Sequence, residues 1–189
     1  AVYINDGNVY ELFNLYSETV FPSTVTVLPE DILVANPYSL QQYPQSTITR
    51  SFCLLGKKLT SKEVENERLR SLVPIETDSE NNIVYHLEKV KKEYWSVKDV
   101  ISTIAKYLIS ECEKILGIRV SRCVLSIPDG YTESEMDCYK STVEQTGVHV
   151  EEMVRNSICI GYSLIADCPR SEISSQLDNC NLVIYRIGG

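Results

Sequence analysis

Phosphate chemistry needs backbone N–H groups that come close to an anion, and glycine permits that approach because it carries no Cβ. Gly188-Gly189 is a pair of this kind, directly after the apolar run Asn181-Leu182-Val183-Ile184-Tyr185-Arg186-Ile187. A tight turn after a strand would use the same two residues, so both readings stand. Carboxylates suited to acid–base work occur at Asp129 and Glu133, beside Pro128, and at Glu151-Glu152. Asp129 reads as a turn residue and Glu133 as a first-turn helix carboxylate, where the helix dipole favours negative charge. Glu151 and Glu152 read as cover for the surface end of a strand. Metal chemistry finds no support: the seven cysteines are scattered without a CxxC, and His86 and His149 are far apart. A zinc site needs its ligands clustered at short spacing. Most of the thiols are expected to be reduced and buried, acting as small apolar groups.

Composition narrows the partners. The 189 residues are 43% hydrophobic and 23% charged, ordinary for a globular protein and enough for one large domain or two small ones. With 18 Lys and Arg against 26 Asp and Glu, the formal net charge is −8. A field of that sign repels nucleic-acid backbones and anionic lipid, so neither is expected as the main partner. The charge runs at residues 63–67 and 89–93 read as solvated surface. No apolar run approaches the ~20 residues of a membrane helix and no signal peptide is evident, which makes the cytosol the expected compartment.

The elements that must position these residues follow from hydrophobic periodicity. Asp6-Gly7 between two β-rich runs predicts a hairpin over residues 1–13. A strand at residues 25–28, a turn at Pro29-Glu30-Asp31, and loop with short helix over residues 36–44 come next. Residues 61–70 suit a short exposed amphipathic segment. Residues 73–77 and 83–87 read as two strands joined by the polar turn at residues 78–82. Ser96 and Asp99 form a helix-start signal, and Val97, Val100, Ile101, Ile104, Leu108, Cys112, Ile115 and Leu116 recur at helical spacing until Gly117 stops them. The inward stripe is expected to be Val100, Ile104, Leu108 and Ile115. Residues 119–128 have a buried-strand pattern. A helix over residues 133–146, a strand at 149–153, a helix near 157–166 and a strand at 181–187 complete the order. Strands first, then strands alternating with helices, imply an α/β sheet with helices packed on it.

Three segments, in this order, resemble the ATPase domain of the DnaK-like heat-shock protein 70 family. Thr49-Arg50-Ser51-Phe52-Cys53-Leu54-Leu55-Gly56-Lys57-Lys58 resembles the family's run ending Lys-Arg-Leu-Ile-Gly-Arg-Lys. Arg122-Cys123-Val124-Leu125-Ser126-Ile127-Pro128-Asp129-Gly130-Tyr131 looks like its strand ending Val-Pro-Ala-Tyr-Phe. Asn181–Gly189 is similar to its Asn-Val-Leu-Ile-Phe-Asp-Leu-Gly-Gly phosphate loop. No motif is specific alone; the collinear set, with few gaps between landmarks, covers nearly the whole chain. The resemblance implies α/β lobe I of the actin-like ATPase (ribonuclease H-like) fold: a mixed sheet flanked by helices. Residues 1–21 and 99–189 would form its main subdomain, and residues 22–98 a smaller inserted α/β subdomain. It also leads one to expect an Asp-x-Gly-Thr-Thr phosphate loop ahead of Ala1 and a second lobe beyond Gly189, neither of which is in the sequence.

Working members of that family transfer a phosphoryl group to water by positioning and charge stabilisation. The lysine that reaches toward the γ-phosphate corresponds to Phe52, whose ring donates neither charge nor hydrogen bond. The aspartate that helps hold Mg²⁺ corresponds to Arg186, which would repel the ion and pair either with a phosphate or with a nearby carboxylate. The Glu-Pro-Thr-Ala segment falls at Arg155-Asn156-Ser157-Ile158, with Asn156 at the degenerate catalytic position. The resemblance thus implies a catalytically degenerate chaperone or co-chaperone module, with ATP or ADP bound weakly through Gly188, Gly189 and Arg186, and no metal. It implies a J-domain partner, with the atypical Ssz-type members of the ribosome-associated complex as the most similar subgroup, since these also carry a basic residue in place of the aspartate. Two other readings remain: a divergent but active ATP-dependent chaperone or Hsp110-like exchange factor, and an actin-fold structural or regulatory protein.

Overall fold

In the computed structural model, residues 2–5, 8–13, 17 and 19–167 are described. Strands β1 (Val2–Asn5) and β2 (Asn8–Glu11) pair antiparallel with Asn5 opposite Asn8, the hairpin the sequence predicts; Asp6 and Gly7 lie outside the described residues. Next, β3 (Val25–Val27) runs between β4 (Ile32–Val34) and β5 (Thr47–Ile48). The Pro29-Glu30-Asp31 turn closes where the Leu28 N–H donates to the Asp31 carbonyl at 2.8 Å. A short helix, α1 (Ser39–Gln42), and a 3-10 turn lead into β5. A second antiparallel trio, β6 (Ile75–Thr77), β7 (Ile83–His86) and β8 (Tyr94–Ser96), has β7 at its centre. Between the trios runs α2 (Ser61–Arg70), begun by a reciprocal cap between Thr60 and Glu63.

The long helix α3 (Val97–Leu116) has the limits its sequence prescribes. Ser96 accepts the Asp99 N–H while the Asp99 carboxylate takes the Ser96 N–H at 2.8 Å and its hydroxyl at 2.7 Å, and Gly117 ends the helix at φ +67°. A left-handed residue there is cheap only for glycine. One continuous apolar core joins both trios to α3, with Val25, Ile48, Leu55, Tyr85, Val100 and Ile101 fully buried. Burying a side chain of this size contributes about 1.5–3 kcal/mol, so this cluster is the main source of stability. The predicted inward stripe holds at Val100, Ile104 and Leu108 but fails at Ile115, which is 53% exposed. The core covers only the first part of the helix, and its last turn extends past it.

Beyond α3 the chain forms a βαβ unit. Strands β9 (Arg122–Ile127) and β10 (His149–Arg155) are parallel, with a register shift between Val150 and Glu152, and α4 (Glu133–Glu144) connects them. Helix α5 (Asn156–Asp167) starts with no intervening loop. Three expectations need correction. Among the described residues the strands lie in four small sheets, in which β9 and β10 pair only with each other. For the same reason β9 is not buried throughout: its exposure alternates, and Val124 is 61% exposed. The described thiols are unpaired but not buried, with Cys53 exposed and Cys112, Cys123, Cys138 and Cys159 half-buried. Cys168 and Cys180, with the strand predicted at residues 181–187, lie outside the described residues. Residues 61–70 are helical but barely amphipathic: Val64 is the buried side chain and Leu69 is 80% exposed.

The α3 cap gives a stability test. Burial raises the Asp99 pKa, but the Lys92 ion pair at 2.8 Å and the Ser96 cap outweigh it and hold the carboxyl below its ordinary value. A carboxyl depressed in the folded state stabilises above its unfolded pKa and loses that contribution as pH falls through the folded value. Ser96→Ala is expected to cost about 0.5–2 kcal/mol in chemical denaturation at pH 7. The difference from the unaltered chain should shrink as pH falls below the ordinary carboxylate value of about 4.

Candidate functional site

Parallel pairing puts Ile127 opposite Arg155, so the chain leaves β9 and β10 at the same end of the sheet. Crevices at the carboxyl ends of parallel strands are where α/β folds bind ligands. Two residues beyond each strand stand Asp129 and Ser157, and they meet. The Asp129 Oδ1 accepts the Ser157 hydroxyl at 2.5 Å and the Ser157 N–H at 3.3 Å. The Ser157 hydroxyl bond is the largest of the causes that lower the Asp129 pKa, although the group is at the surface. The Arg155 guanidinium donates to the Asp129 carbonyl, and the Ser126 hydroxyl donates to the Asn156 side chain.

The same loop, residues 128–132, grips a second region through Tyr131. Its hydroxyl donates to the Phe52 carbonyl at 2.5 Å, and burial pushes its pKa up to about 12. Phe52 sits on the 3-10 turn Ser51–Cys53, entered through Arg50 at φ +60° and fastened by a 3.1 Å bond between the Ser51 and Tyr85 hydroxyls. The Phe52 ring meets Tyr139 of α4 edge-on, centroids 5.7 Å apart at 90°, and Tyr131 meets Tyr139 at 6.5 Å. Edge-to-face pairs of this kind are worth about 0.5–1.5 kcal/mol beyond their buried area.

At the loop's far end Thr132 starts α4. Its N–H and hydroxyl both donate to the Glu135 carboxylate, at 2.7 and 2.8 Å, and the Glu135 N–H returns a bond to the hydroxyl. The Thr132 N–H is the largest cause holding the Glu135 carboxyl below its ordinary value. Glu135 is otherwise buried and also faces the Lys57 ammonium at 3.9 Å. Next to Lys57, Gly56 has φ +69°, and a Cβ there would stand 3.1 Å from the Glu135 Cα and 3.2 Å from the Cys138 Cβ. The segment carrying Phe52 is therefore seated on α4 at the contact distance of a bare glycine.

These placements revise the chemistry expected of the site. Phe52 is partly buried against the core, its carbonyl accepting from Tyr131 and its ring against Tyr139, while Asn156 accepts from Ser126 of β9. Asp129 is a turn residue that also caps α5, and Glu133 stands in the first turn of α4. Glu151 and Glu152 are exposed on β10, Glu151 opposite Arg122 at 3.4 Å. Gly188, Gly189 and Arg186 lie outside the described residues. Tyr131, Tyr139, Gly56 and Glu135 were not read from sequence as site residues; of their contacts only the Thr132-x-x-Glu135 capping box has a sequence signal.

Asp129 presents a carboxylate at this end of the strands, and Phe52 offers no donor from its ring. Among the described residues no cluster of His, Cys, Asp or Glu can hold a metal ion. An open groove of ≈ 350 Å³ lies elsewhere, lined in part by Val27, Ile32, Lys91, Lys92 and Trp95. Two substitutions test the seating of the Phe52 segment. Gly56→Ala is expected to destabilise by more than about 1 kcal/mol, because alanine is strained at positive φ and its methyl meets backbone. Tyr131→Phe is expected to cost about 1 kcal/mol by removing one hydrogen bond. Urea denaturation of each variant measures both.

The family model described as "Hsp70 protein" matches residues 1–189. Heat shock 70-related protein 5 of Dictyostelium discoideum is 24% identical over 183 residues, covering 89% of this chain and 34% of that protein. Mitochondrial-type heat shock protein 70 of Encephalitozoon cuniculi is 24% identical over 190 residues, covering 98% and 30% respectively. Heat shock 70 kDa protein 16 of Arabidopsis thaliana is 29% identical over 131 residues, covering 67% and 17%. The chain thus spans about a third or less of the length of these relatives. No described helix is long and apolar enough to cross a membrane. A family match over every residue, on a mixed α/β framework consistent with a nucleotide-binding domain, means that this chain belongs to the Hsp70 family, in its N-terminal region.

Proposed function

We propose that this chain is a catalytically degenerate Hsp70 module, a binding and scaffold part in protein folding rather than an ATP-hydrolysing one. The observation that carries this reading is the use made of Phe52. Its ring is packed on Tyr139 and its carbonyl is held by Tyr131, so the place assigned to a phosphate-reaching lysine serves instead as a structural contact. Asn156, in the segment assigned to the catalytic carboxylate, is bonded to Ser126. Phosphoryl-transfer groups act as a unit, and their losses are not additive. Loss at both positions, with Arg186 in place of the phosphate-loop aspartate, therefore removes turnover rather than slowing it by steps.

A module of this kind works through protein contacts. Its partner is proposed to be a J-domain co-chaperone, in the cytosol and at the ribosome, by similarity to the Ssz-type members that share a basic residue at the Arg186 position. ATP or ADP is bound weakly, through Gly188, Gly189 and Arg186. A lone contact of this type corresponds to a Kd near the millimolar range, roughly −4 kcal/mol.

Single-turnover hydrolysis of radiolabelled ATP tests the reading. No phosphate release above background is expected from the unaltered chain or from Phe52→Lys, which returns a lysine to a position the aromatic contact occupies. Release at the rate of an ordinary Hsp70 would refute it. Calorimetric titration separates the binding claim: weak affinity indifferent to Mg²⁺ is expected, and micromolar affinity that requires Mg²⁺ would contradict it.

A further inference from the structure

The amino ends of β9 and β10 gather a different set of side chains from the carboxyl ends. Arg119 and Val120 stand just ahead of β9 and Gly147 just ahead of β10, with α3 beside them. Together they line a pocket of ≈ 210 Å³, at the opposite end of the strand pair from Asp129 and Ser157. Two cations line it, Lys106 of α3 and Arg119. Among the described residues neither has an ion pair, whereas every other described arginine is held by a carboxylate or a carbonyl. The pocket has one carboxylate of its own, Glu113, which accepts the Val120 N–H at 2.8 Å and pairs with neither cation. Gly147, at φ +93°, leaves its backbone open to Arg119, whose Nη2 lies 3.7 Å from where a Cβ would stand. Two cations against one carboxylate reverse, locally, the sign of a chain whose net charge is −8.

We propose that this pocket receives a glutamate side chain presented by a protein partner. Its volume is below the roughly 300–1,000 Å³ of sites that enclose a whole small molecule, and it suits a single side chain. The Arg119 guanidinium offers paired N–H donors in the plane a carboxylate needs, and the Lys106 ammonium adds a second charge. Ile109 and Val120 supply apolar wall for the methylenes of the incoming side chain. A free inorganic anion carries charge but nothing for that wall to cover. Surface next to the pocket favours a protein as well. Ile118, which adjoins Arg119 in sequence, is 64% exposed, and Ile115 on the last turn of α3 is 53% exposed. A partner anchored by its glutamate would cover both, which gives the uncovered end of α3 a use.

The probes are two end-capped peptides, Ala-Ala-Glu-Ala-Ala and Ala-Ala-Gln-Ala-Ala, and inorganic phosphate, each titrated into the isotope-labelled 189-residue chain and followed by NMR. The glutamate peptide is expected to shift the Arg119 Nε–H and the Gly147 amide saturably, and the glutamine peptide to shift neither. Arg119→Gln is expected to weaken the glutamate peptide at least about ten-fold, the scale of one lost charge-assisted contact. Lys106→Gln should weaken it less. Lys62→Gln, the same loss of charge at an exposed position on α2, should leave it unchanged. Equal binding of the two peptides would overturn the proposal, as would full affinity in Arg119→Gln or an equal loss in Lys62→Gln. Phosphate that binds as tightly as the glutamate peptide would also overturn it, by making the pocket a site for free anions. Should Arg119→Gln fail to fold, Arg119→Lys, still charged but without the planar fork, decides, and full affinity there overturns the proposal. ATP plays no part in these titrations, so their result is separate from the test of catalysis.

Discussion

Parallel pairing of β9 with β10 places Ile127 beside Arg155, and the five residues after β9 have to serve everything that gathers at that end. Within residues 128–132, Asp129 caps α5, Tyr131 holds the Phe52 carbonyl, and Thr132 starts α4 by exchanging bonds with Glu135. A loop this short cannot move one of those contacts without disturbing its neighbours. Its position is fixed in turn by the core, since α3 is buried over its first turns against both three-stranded sheets and also lies against α4.

The polar groups here are satisfied among themselves. Asp129, Ser157, Ser126, Asn156, Thr132 and Glu135 all have partners within the chain. Buried or half-buried polar groups that lack partners cost about 1–3 kcal/mol each, and functional sites often carry that cost until a ligand arrives. At this strand end the chain supplies the partners itself. The aromatic side of the loop says the same: Phe52 and Tyr139 meet at 5.7 Å in an arrangement that stabilises folding and asks nothing of a ligand.

Sequence predicted well wherever the signal is local. Ser96, Asp99 and Gly117 delimit α3 because capping and the left-handed stop are set within a few residues. Ile115 was misassigned because periodicity marks a face of the helix but not how far along it the core extends. Strands β4, β5 and β8, of two or three residues, went unread, while the equally short β3 and β6 were found as parts of the longer runs 25–28 and 73–77. For the site, family position pointed to Phe52 and Asn156, and Asp129 beside Pro128 read as a turn residue. Their partners were out of reach. Tyr131 and Phe52 are 79 residues apart, and Asp129 and Ser157 are 28 apart. Only the strand register and the seating of Gly56 on α4 bring those pairs together.

Amide hydrogen exchange of the chain with and without saturating Mg²⁺ and ATP tests the central claim most directly, that this strand end is filled from within. The expected result is unchanged protection at residues 50–57, 126–132 and 156–160, because their contacts are already made. ATP-dependent protection across those three segments would contradict the account, showing that the loop opens to a nucleotide after all.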